Sequence, residues 1–397
     1  MSSEPNISET TPLTEKPLVR ALLTGGGSGG HIYPLLAVTE SLTALAEEKH
    51  VDLELHYLGP QDDGVKVIEA ARIKVHTLLG GKWRRYGALD NILDIPKFLV
   101  SIVQAFAKLF FLMPDVVFSK GGTGALPSVL AAWFYRIPIL IHESDAVPGL
   151  TNAISGKFAN RVAVSFDKAK LYFSPRKAAV TGGPVRPSLL KGILSPRDSK
   201  EALGFSGDAP LLLVLGGSQG AQALNEFVVT NLETLTETLQ ILHQTGTANL
   251  TDVEKLSRAA LFTTPTSRPH LSYHPVGHLQ TEQMRLALSA ADIVLSRAGS
   301  NALFEIAAFG KPAILVPLPG SARDHQRLNA YEFAARGGGI VIEQTNLLAD
   351  IFFEQLAMMF NDSAKREEMA AASRTFFVPN ATAVLAEEIL RLSKKAA

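Results

Sequence analysis

The stretch LLTGGGSGGHIYPLLAV (residues 22–38) joins a short apolar run to a segment with helical spacing through a turn rich in glycine. Pro34 lies near the first turn of the expected helix, a position that proline favours. Glycine amides at the start of a helix, unobstructed by side chains, form a seat for anionic oxygens. The stretch therefore predicts a strand, a phosphate-binding turn and a helix.

The same alternation continues along the chain and then restarts. Residues 18–180 hold the short apolar runs LVRALL, LELHYLG, DVVFSKGG, IPILIHES and RVAVSF. A second series begins with APLLLVLGGSQGAQALNEFV and continues with ADIVLSRAGSNALFEIAAFG and KPAILVPLPG. Such alternation is typical of parallel sheets covered by helices, with ligands at the carboxyl edge of the strands. The predicted fold class is α/β, with two Rossmann-like domains facing each other across a cleft.

The predicted domains follow from that restart. Residues 1–16 are polar and predict a disordered lead-in. Residues 17–184 are expected to form the first Rossmann-like domain and residues 185–377 the second. The last helix, at about 378–397, has apolar positions at helical spacing and could dock back on the first domain.

Composition narrows the classes of function. At 397 residues, with 46% hydrophobic and 19% charged residues, the chain is long enough for two cores and polar enough to be globular. Its 38 basic and 38 acidic residues cancel, so nucleic acid is not expected as a partner. The chain has no cysteine, which excludes disulfides, thiolate zinc sites and cysteine nucleophiles. The first residues lack the apolar core of a secretion signal, so a cytosolic location is expected.

Residues 95–114 (IPKFLVSIVQAFAKLFFLMP) raise the question of a membrane span. A spanning helix needs about 20 mostly apolar residues, and two lysines and a glutamine interrupt this stretch. We therefore expect a helix that packs on a sheet. Just before it, Trp83 and Tyr86 stand among the basic residues of GGKWRRYG. That segment is either an ordinary solvated loop or a seat on an anionic bilayer.

The first glycine turn formally matches two nucleotide-binding patterns, and both lack a second requirement. A P-loop needs a lysine and a hydroxyl residue after its last glycine, where this chain has His31 and Ile32. A dinucleotide site needs an acid at the end of the second strand, and that strand ends in HYLGP. The glycine turn is therefore predicted only to bind anionic oxygens through its backbone amides, with no specific nucleotide implied.

His31 lies at the mouth of that seat. One interpretation is a histidine that caps the helix or is satisfied in the core. The other is a general base for a hydroxyl nucleophile, because the residue follows a strand at the ligand-binding edge and an unperturbed histidine has a pKa of about 6.5. The residues alone leave both interpretations open.

Further polar side chains are predicted at the cleft. Ser218, in the glycine turn of the second half, can donate to a diphosphate. Glu305 has apolar neighbours on its helix, and a carboxylate in such company needs a partner such as the ribose hydroxyls. The start of a predicted helix after a proline-rich turn carries Asp324, His325, Gln326 and Asn329, and the amide and imidazole groups there suit sugar hydroxyls. Arg186, at the domain joint, is placed to reach a leaving phosphate.

Several motifs, taken together, resemble the MurG family in order and separation. They are TGGGSGGHIYP, HESDAVPGLTN, GGPVR, LVLGGSQGAQALN and SRAGSNALFEIAAFGKPAILVPLPG followed by DHQRLNA. The likeness implies a GT-B hexosyltransferase that uses UDP-N-acetylglucosamine, inverts the anomeric centre, and needs no metal or other cofactor. Its acceptor would be the 4-hydroxyl of the undecaprenyl-diphosphate-linked muramyl-pentapeptide of peptidoglycan synthesis. The resemblance also implies a peripheral position on the inner face of the cytoplasmic membrane.

The resemblance implies roles for individual residues as well. His31 is similar to the family's proposed general base. The residues expected at UDP-N-acetylglucosamine are Ser28, Gly29, Gly30, Arg186, Ser218, Gln219, Glu305, His325 and Gln326. Those expected on the acceptor side are Gly25, Gly26, Gly27, Asp145 and Asn152.

Two departures from the family pattern concern the substrates. Asp145 stands where the family commonly has asparagine, which would repel an anionic acceptor unless the carboxyl group is protonated or turned outward. His325 replaces one glutamine of the pair that touches the donor sugar. Two alternatives therefore stay open: a GT-B transferase for another lipid acceptor such as diacylglycerol, and a catalytically silent nucleotide-binding scaffold.

Overall fold

A computed structural model of the chain describes residues 16–26, 29–62, 64–79, 88–122, 124–217, 219–262 and 271–394. Its first half is a sheet of parallel strands with helices on both faces. The strands are β1 (Leu18–Thr24), β2 (Asp52–Pro60), β3 (Lys74–Leu78), β4 (Val116–Ser119), β5 (Ile139–Glu143), β6 (Arg161–Val164) and β7 (Ala178–Val180). The helices are α1 (Gly29–Glu48), α2 (Gly64–Ala70), α3 (Ala88–Leu112), α4 (Ala125–Phe134), α5 (Leu150–Phe158) and α6 (Asp167–Lys170).

A 3-10 turn (Pro187–Leu190) and α7 (Pro196–Ala202) lead into the second half, which repeats the plan. Its strands are β8 (Leu211–Leu215), β9 (Gln240–Gln244), β10 (Tyr273–Val276), β11 (Ile293–Ser296), β12 (Ala313–Leu315) and β13 (Gly339–Val341). Its helices are α8 (Gln222–Thr230), α9 (Leu232–Thr236), α10 (Leu250–Phe262), α11 (Thr281–Ala290), α12 (Ser300–Ala308), α13 (His325–Ala335), α14 (Ala349–Asn361) and α15 (Ser363–Phe376). The last helix is α16 (Ala381–Ser393).

The strand order places the functional edge of each sheet. Within the described residues the orders are β3-β2-β1-β4-β5-β6-β7 and β10-β9-β8-β11-β12-β13, and every pairing is parallel. In both sheets the order reverses beside the first strand, between β1 and β4 and between β8 and β11. A crevice forms at such a point, outside the carboxyl ends of the strands, and ligands bind there. These observations confirm the predicted fold class.

Helix α16 packs on the first domain although it follows the second along the chain. Its buried residues Leu385, Ala386, Ile389 and Leu390 share one apolar cluster with β1 and α1. Burial of four such side chains contributes several kcal/mol, at roughly 25 cal/mol per Å² of apolar surface. The end of the chain therefore ties the two halves together, whereas the exact boundary at residue 184 stays a prediction.

Helix α3 covers much of the stretch that raised the question of a membrane span. It packs mainly against α4, its neighbour on the same face of the first sheet. Among the helices that the structure describes, none is long and apolar enough to cross a bilayer. The aromatic and basic segment around Trp83 and Tyr86 lies outside the described residues.

Candidate active site

The floor of the cleft in the first domain is formed by backbone from two neighbouring loops. The Tyr57 hydroxyl donates to the Gly25 carbonyl oxygen at 2.8 Å, which fixes the end of β1. Gly26 has a φ of 134°, a conformation that favours glycine. A Cβ atom on Gly122, after β4, would lie 2.2 Å from the Gly26 carbonyl oxygen. The two loops therefore touch through glycine backbone.

Two of the predicted acceptor or donor positions in this turn, Gly27 and Ser28, lie outside the described residues. Gly29 and Gly30 begin α1, as the sequence predicts for the start of a helix. The Gly30 carbonyl oxygen accepts a hydrogen bond of 3.3 Å from the Asn301 side chain of the second domain. The first turn of α1 therefore faces the opposite half of the molecule.

His31, the third residue of α1, is half-buried and oriented by a loop remote in sequence. Its Nδ1 lies 3.3 Å from the Lys120 carbonyl oxygen, after β4. A carbonyl oxygen only accepts, so Nδ1 must carry the proton and Nε2 is left with its lone pair. The arrangement therefore selects the tautomer in which Nε2 can take a proton from a substrate.

The surroundings also keep the imidazole neutral. Burial, together with the Lys120 ammonium group, lowers the pKa of His31 from 6.5 to about 4, while Asp145 acts in the opposite direction. Burial lowers the pKa of Lys120 as well, and the charges of Glu143 and Asp145 oppose that effect. A neutral imidazole at physiological pH satisfies the first condition for a general base.

The loop between β5 and α5 is held from within by a buried carboxylate. Glu143 accepts hydrogen bonds from the backbone amides of Asp145 at 2.9 Å and Gly149 at 3.2 Å. The Asn152 side-chain amide donates to the same carboxylate at 3.0 Å and to the His142 carbonyl oxygen at 3.2 Å. Asn152 is 4% exposed, so in this structure it holds the loop rather than lining the open cleft.

Arg186 and Glu305 meet each other between the two halves. The Arg186 Nη2 atom lies 3.2 Å from a Glu305 oxygen, and Nη1 donates to the Thr281 hydroxyl at 2.9 Å. Burial raises the pKa of Glu305, an effect that Arg186 partly offsets. A cation suited to phosphate and a carboxylate suited to hydroxyls are thus brought together in one place.

A contact between two aromatic side chains crosses the cleft beside the Arg186–Glu305 pair. The Tyr33 hydroxyl and Nε2 of His278 lie 2.9 Å apart, which joins α1 to the segment after β10. The Arg186 guanidinium lies 4.9 Å from the centre of the Tyr33 ring, within the range of a cation–π contact. Tyr33, His278 and Arg186 therefore form a bridge between the domains.

The glycine turn of the second domain is supported by the segment that follows β9. Ser218 lies outside the described residues, and Gln219 is exposed. The Gln244 side-chain amide donates to the Gly217 carbonyl oxygen at 3.0 Å. Gly220 has a φ of 79° and approaches the Thr245 carbonyl oxygen so closely that a Cβ atom would lie 2.1 Å away.

The start of α13 presents the predicted sugar-binding side chains. Nδ1 of His325 lies 2.7 Å from the Ala322 carbonyl oxygen. The Gln326 side-chain oxygen accepts from the Leu318 amide at 3.0 Å, which closes the turn before the helix. Both residues therefore also serve the shape of the turn. In the part of the chain that the structure describes, no group of three or more His, Asp or Glu side chains could hold a metal.

The fold and the cleft define a class of protein with two Rossmann-like domains, in which a ligand is bound at the carboxyl edges of the two parallel sheets. The family description "Glycosyltransferase family 28 N-terminal domain" matches residues 21–164, and "Glycosyltransferase family 28 C-terminal domain" matches residues 211–385. The chain belongs to this family and, within it, to the MurG group, as the following relatives show.

A transferase from Treponema pallidum (strain Nichols) is 35% identical over 381 residues, covering 94% of this chain and 96% of the relative. One from Clostridium tetani (strain Massachusetts / E88) is 34% identical over 348 residues, covering 87% and 91%. Both are named UDP-N-acetylglucosamine--N-acetylmuramyl-(pentapeptide) pyrophosphoryl-undecaprenol N-acetylglucosamine transferase. The crystal structure of MurG from Acinetobacter baumannii is 28% identical with a TM-score of 0.70, covering 94% of this chain and 99% of that one.

Sequence reasoning missed several residues of this cleft. No sequence motif described above identifies the cleft residues Lys120, Tyr33, His278 and Thr281. Of these, Lys120 follows β4 at the carboxyl edge of the sheet. A lysine directly after an apolar strand is the signal that could have identified it. The Tyr33–His278 contact joins residues 245 positions apart and leaves no local pattern.

Proposed function

We propose that the protein transfers N-acetylglucosamine from UDP-N-acetylglucosamine to the 4-hydroxyl of lipid-linked N-acetylmuramyl-pentapeptide, the step that converts lipid I to lipid II in peptidoglycan synthesis. The observation that carries the proposal is His31, whose Nε2 is left unprotonated by the bond to the Lys120 carbonyl oxygen. The base belongs to the first domain, and Arg186 and Glu305 meet at its boundary with the second. Membership of the MurG group supports the choice of both substrates.

In the proposed reaction the acceptor oxygen attacks the anomeric carbon while His31 Nε2 takes the hydroxyl proton. The new bond joins O4 of the muramyl sugar to C1 of N-acetylglucosamine, and the bond from C1 to the β-phosphate oxygen breaks. Attack opposite the leaving group inverts the anomeric centre. UDP leaves with the electron pair, and a cation such as Arg186 stabilises the charge that develops on its phosphate.

The donor would be bound by groups that now bind each other. Glu305 is suited to accept hydrogen bonds from the two ribose hydroxyls, and Arg186 is suited to the diphosphate. Their mutual contact of 3.2 Å keeps a buried carboxylate and a buried guanidinium paired until the nucleotide arrives. Backbone amides of the turn around Gly217 and Gly220 would complete the phosphate site.

The lipid end of the acceptor calls for contact with a membrane, and α3 and α4 carry a surface that suits it. Four side chains there, Phe110, Phe111, Trp133 and Phe134, are between 54% and 84% exposed. We name them the α3–α4 aromatic patch. Exposed aromatic groups beside Lys108 and Arg136 suit the interface of an anionic bilayer. The protein would then lie on the inner face of the cytoplasmic membrane as a peripheral protein.

The test is the release of UDP from UDP-N-acetylglucosamine with and without a short-chain analogue of the lipid-linked muramyl-peptide. UDP-glucose and UDP-galactose are run in parallel, and a diacylglycerol acceptor is offered with each donor. Acceptor-dependent release confined to the N-acetylglucosamine donor and the muramyl acceptor is the expected result. Release only with diacylglycerol would assign the enzyme to another glycolipid, and UDP binding without release from any pair would favour a silent scaffold.

A further inference from the structure

Asp145, on the loop after β5, is bound to the opposite domain. Its Oδ1 accepts a hydrogen bond of 2.8 Å from the side-chain amide of Asn329, on α13. The Asn329 side-chain oxygen accepts in turn from the Ala146 amide at 2.8 Å. Asn329 also donates to the Ala298 carbonyl oxygen at 3.2 Å and is completely buried. One asparagine thus holds the acceptor-side loop of the first domain against two segments of the second.

The same carboxylate contributes to the field around His31. Burial has the largest effect on the pKa of His31 and lowers it; among the charged groups, the Lys120 ammonium and His325 also lower this pKa, and Asp145 raises it. Glu143 is the other carboxylate in this group and is occupied by the backbone amide of Asp145 and by Asn152. Of these two carboxylates, Asp145 is the one that raises the pKa of His31 and so favours a positive charge on its ring.

We infer that Asp145 is a positioning residue that joins the two domains through Asn329 and, from that position, supports the charge that His31 acquires as it takes the acceptor proton. The inference rests on the proposed function. It also explains why an acid at this position need not repel an anionic acceptor. The carboxylate is turned to Asn329 and balanced by the nearby ammonium of Lys120.

The hydrogen bond between Asp145 and Asn329 links closure of the cleft to the basicity of His31. Because the partners lie on different domains, the Asp145–Asn329 bond forms only when the halves are together. Asn329 lies one turn after Gln326 on the same helix, so the donor-sugar side chains and the bridge move as one element. In the transfer step, His31 becomes an imidazolium, the O4–C1 bond forms, and UDP departs. Asp145 gains no proton and forms no covalent bond.

The first test separates the charge of Asp145 from its hydrogen bond. Asp145→Asn keeps an oxygen that can accept from Asn329, so we expect KM for both substrates to stay within about twofold while kcat falls about threefold to tenfold. Asp145→Ala removes both contributions, and KM should then rise as well. The matched control is Glu332→Gln, which removes a carboxylate on α13 that pairs with Lys168 across the domains. That variant should leave kcat and KM unchanged.

The second test moves the pH profile of kcat into a measurable range. The acidic limb of the wild-type profile should lie near the pKa of His31, about 4. Lys120→Met removes the cation that lowers the pKa of His31, and it should therefore shift the acidic limb to higher pH. Adding Asp145→Asn to Lys120→Met should lower it again by about half a pH unit or more, because a stabilising charge has been removed. A limb that Asp145→Asn does not move would overturn the electrostatic part of the inference.

A third measurement does not depend on turnover. Hydrogen exchange of the full chain can be followed at residues 144–149, where the Ala146 amide bonds across the domains and the Gly149 amide bonds to Glu143 within its own domain. Asp145→Ala should accelerate exchange at Ala146 and spare Gly149. Equal exchange in this variant and in the wild type would overturn the bridge. Should the wild type transfer no sugar at all, the proposed function fails, and this readout still decides the structural part.

Discussion

A histidine with the ordinary pKa of 6.5 would be largely protonated at pH 6, whereas burial and the Lys120 ammonium lower the pKa of His31 to about 4. The depressed value means that lowering the pH protonates the group only below about pH 5. A base with so low a pKa is a weak base, so the transition state for proton transfer to it depends on groups that stabilise the imidazolium as it forms. The orientation of the ring and the charges around it are therefore as important as the histidine itself.

His31→Gln tests the base directly. The variant keeps a polar side chain of similar length but cannot take a proton at neutral pH. We expect kcat to fall by about 100-fold or more, the range typical of a lost general base, while UDP binding changes less than about twofold. Steady-state kinetics with the short-chain acceptor and calorimetric titration with UDP measure the two quantities. Wild-type kcat in the variant would contradict the assignment of the base.

Only part of this residue-level chemistry could be predicted from the sequence. A histidine after a glycine turn can be placed at a sheet edge, because a parallel strand and its following loop are local features. Its tautomer could not be predicted, since the Lys120 carbonyl oxygen is 89 positions away and carbonyl groups leave no mark in a sequence. The pairing of Arg186 with Glu305 could not be predicted either, because the two side chains are 119 positions apart and no local pattern joins them.

At the scale of elements, the glycine turn after β8 depends on a conformation and a space that only glycine has. Gly217 and Gly220 have φ values of 83° and 79°. They differ in what surrounds them, because a Cβ on Gly217 would meet nothing within 4 Å while one on Gly220 would meet the Thr245 carbonyl oxygen at 2.1 Å. The turn is thus locked to the segment after β9 at one of its two glycines.

Gly220→Ala should therefore destabilise the protein more than Gly217→Ala does. Both variants strain the backbone by about 1 kcal/mol, and Gly220→Ala must also displace a carbonyl group, for a total of about 2 to 4 kcal/mol. Chemical denaturation of both variants measures the difference in the free energy of unfolding. Equal losses would show that the contact with Thr245 relaxes without cost.

Element types were more predictable than element ends. The strands β4, β5 and β8 come from continuous apolar runs that end in glycine or polar residues, which is the pattern of a strand buried on both faces. Helix α3 begins at Ala88, whereas the apolar stretch that predicts this helix begins at residue 95. The sequence does not predict the earlier start, because residues 88–94 form no continuous apolar run. Short edge strands such as β3 are harder to predict, because polar residues at positions 74, 76 and 77 leave no continuous apolar run.

At the scale of the whole molecule, the cleft is closed by contacts that local patterns do not encode. Tyr33–His278 and Asp145–Asn329 are two of the contacts that cross between the domains. Helix α16 adds a connection of another kind, because it follows the second domain along the chain and packs on α1 of the first. These contacts lie on several separate elements, so closure is a property of the assembled fold and follows from its topology rather than from any one motif.

The α3–α4 aromatic patch gives a prediction at this scale, because membrane binding depends on an exposed surface rather than on a site. Phe111 is 84% exposed and Trp133 is 54% exposed. Replacing both by serine removes apolar area worth roughly 2 kcal/mol or more at about 25 cal/mol per Å². We therefore expect Phe111→Ser/Trp133→Ser to bind vesicles of phosphatidylglycerol and phosphatidylethanolamine at least about tenfold more weakly than the wild type.

Vesicle flotation at fixed lipid concentration measures that binding, and UDP binding by the same protein shows that the cleft is intact. The control is Leu256→Ser, which removes a side chain of α10 that is 57% exposed in the second domain. It should float like the wild type, because the surface it changes belongs to the donor half. If the double variant floated equally well, the membrane seat would have to lie elsewhere on the molecule. The aromatic patch would then have no part in bringing the lipid-linked acceptor to His31.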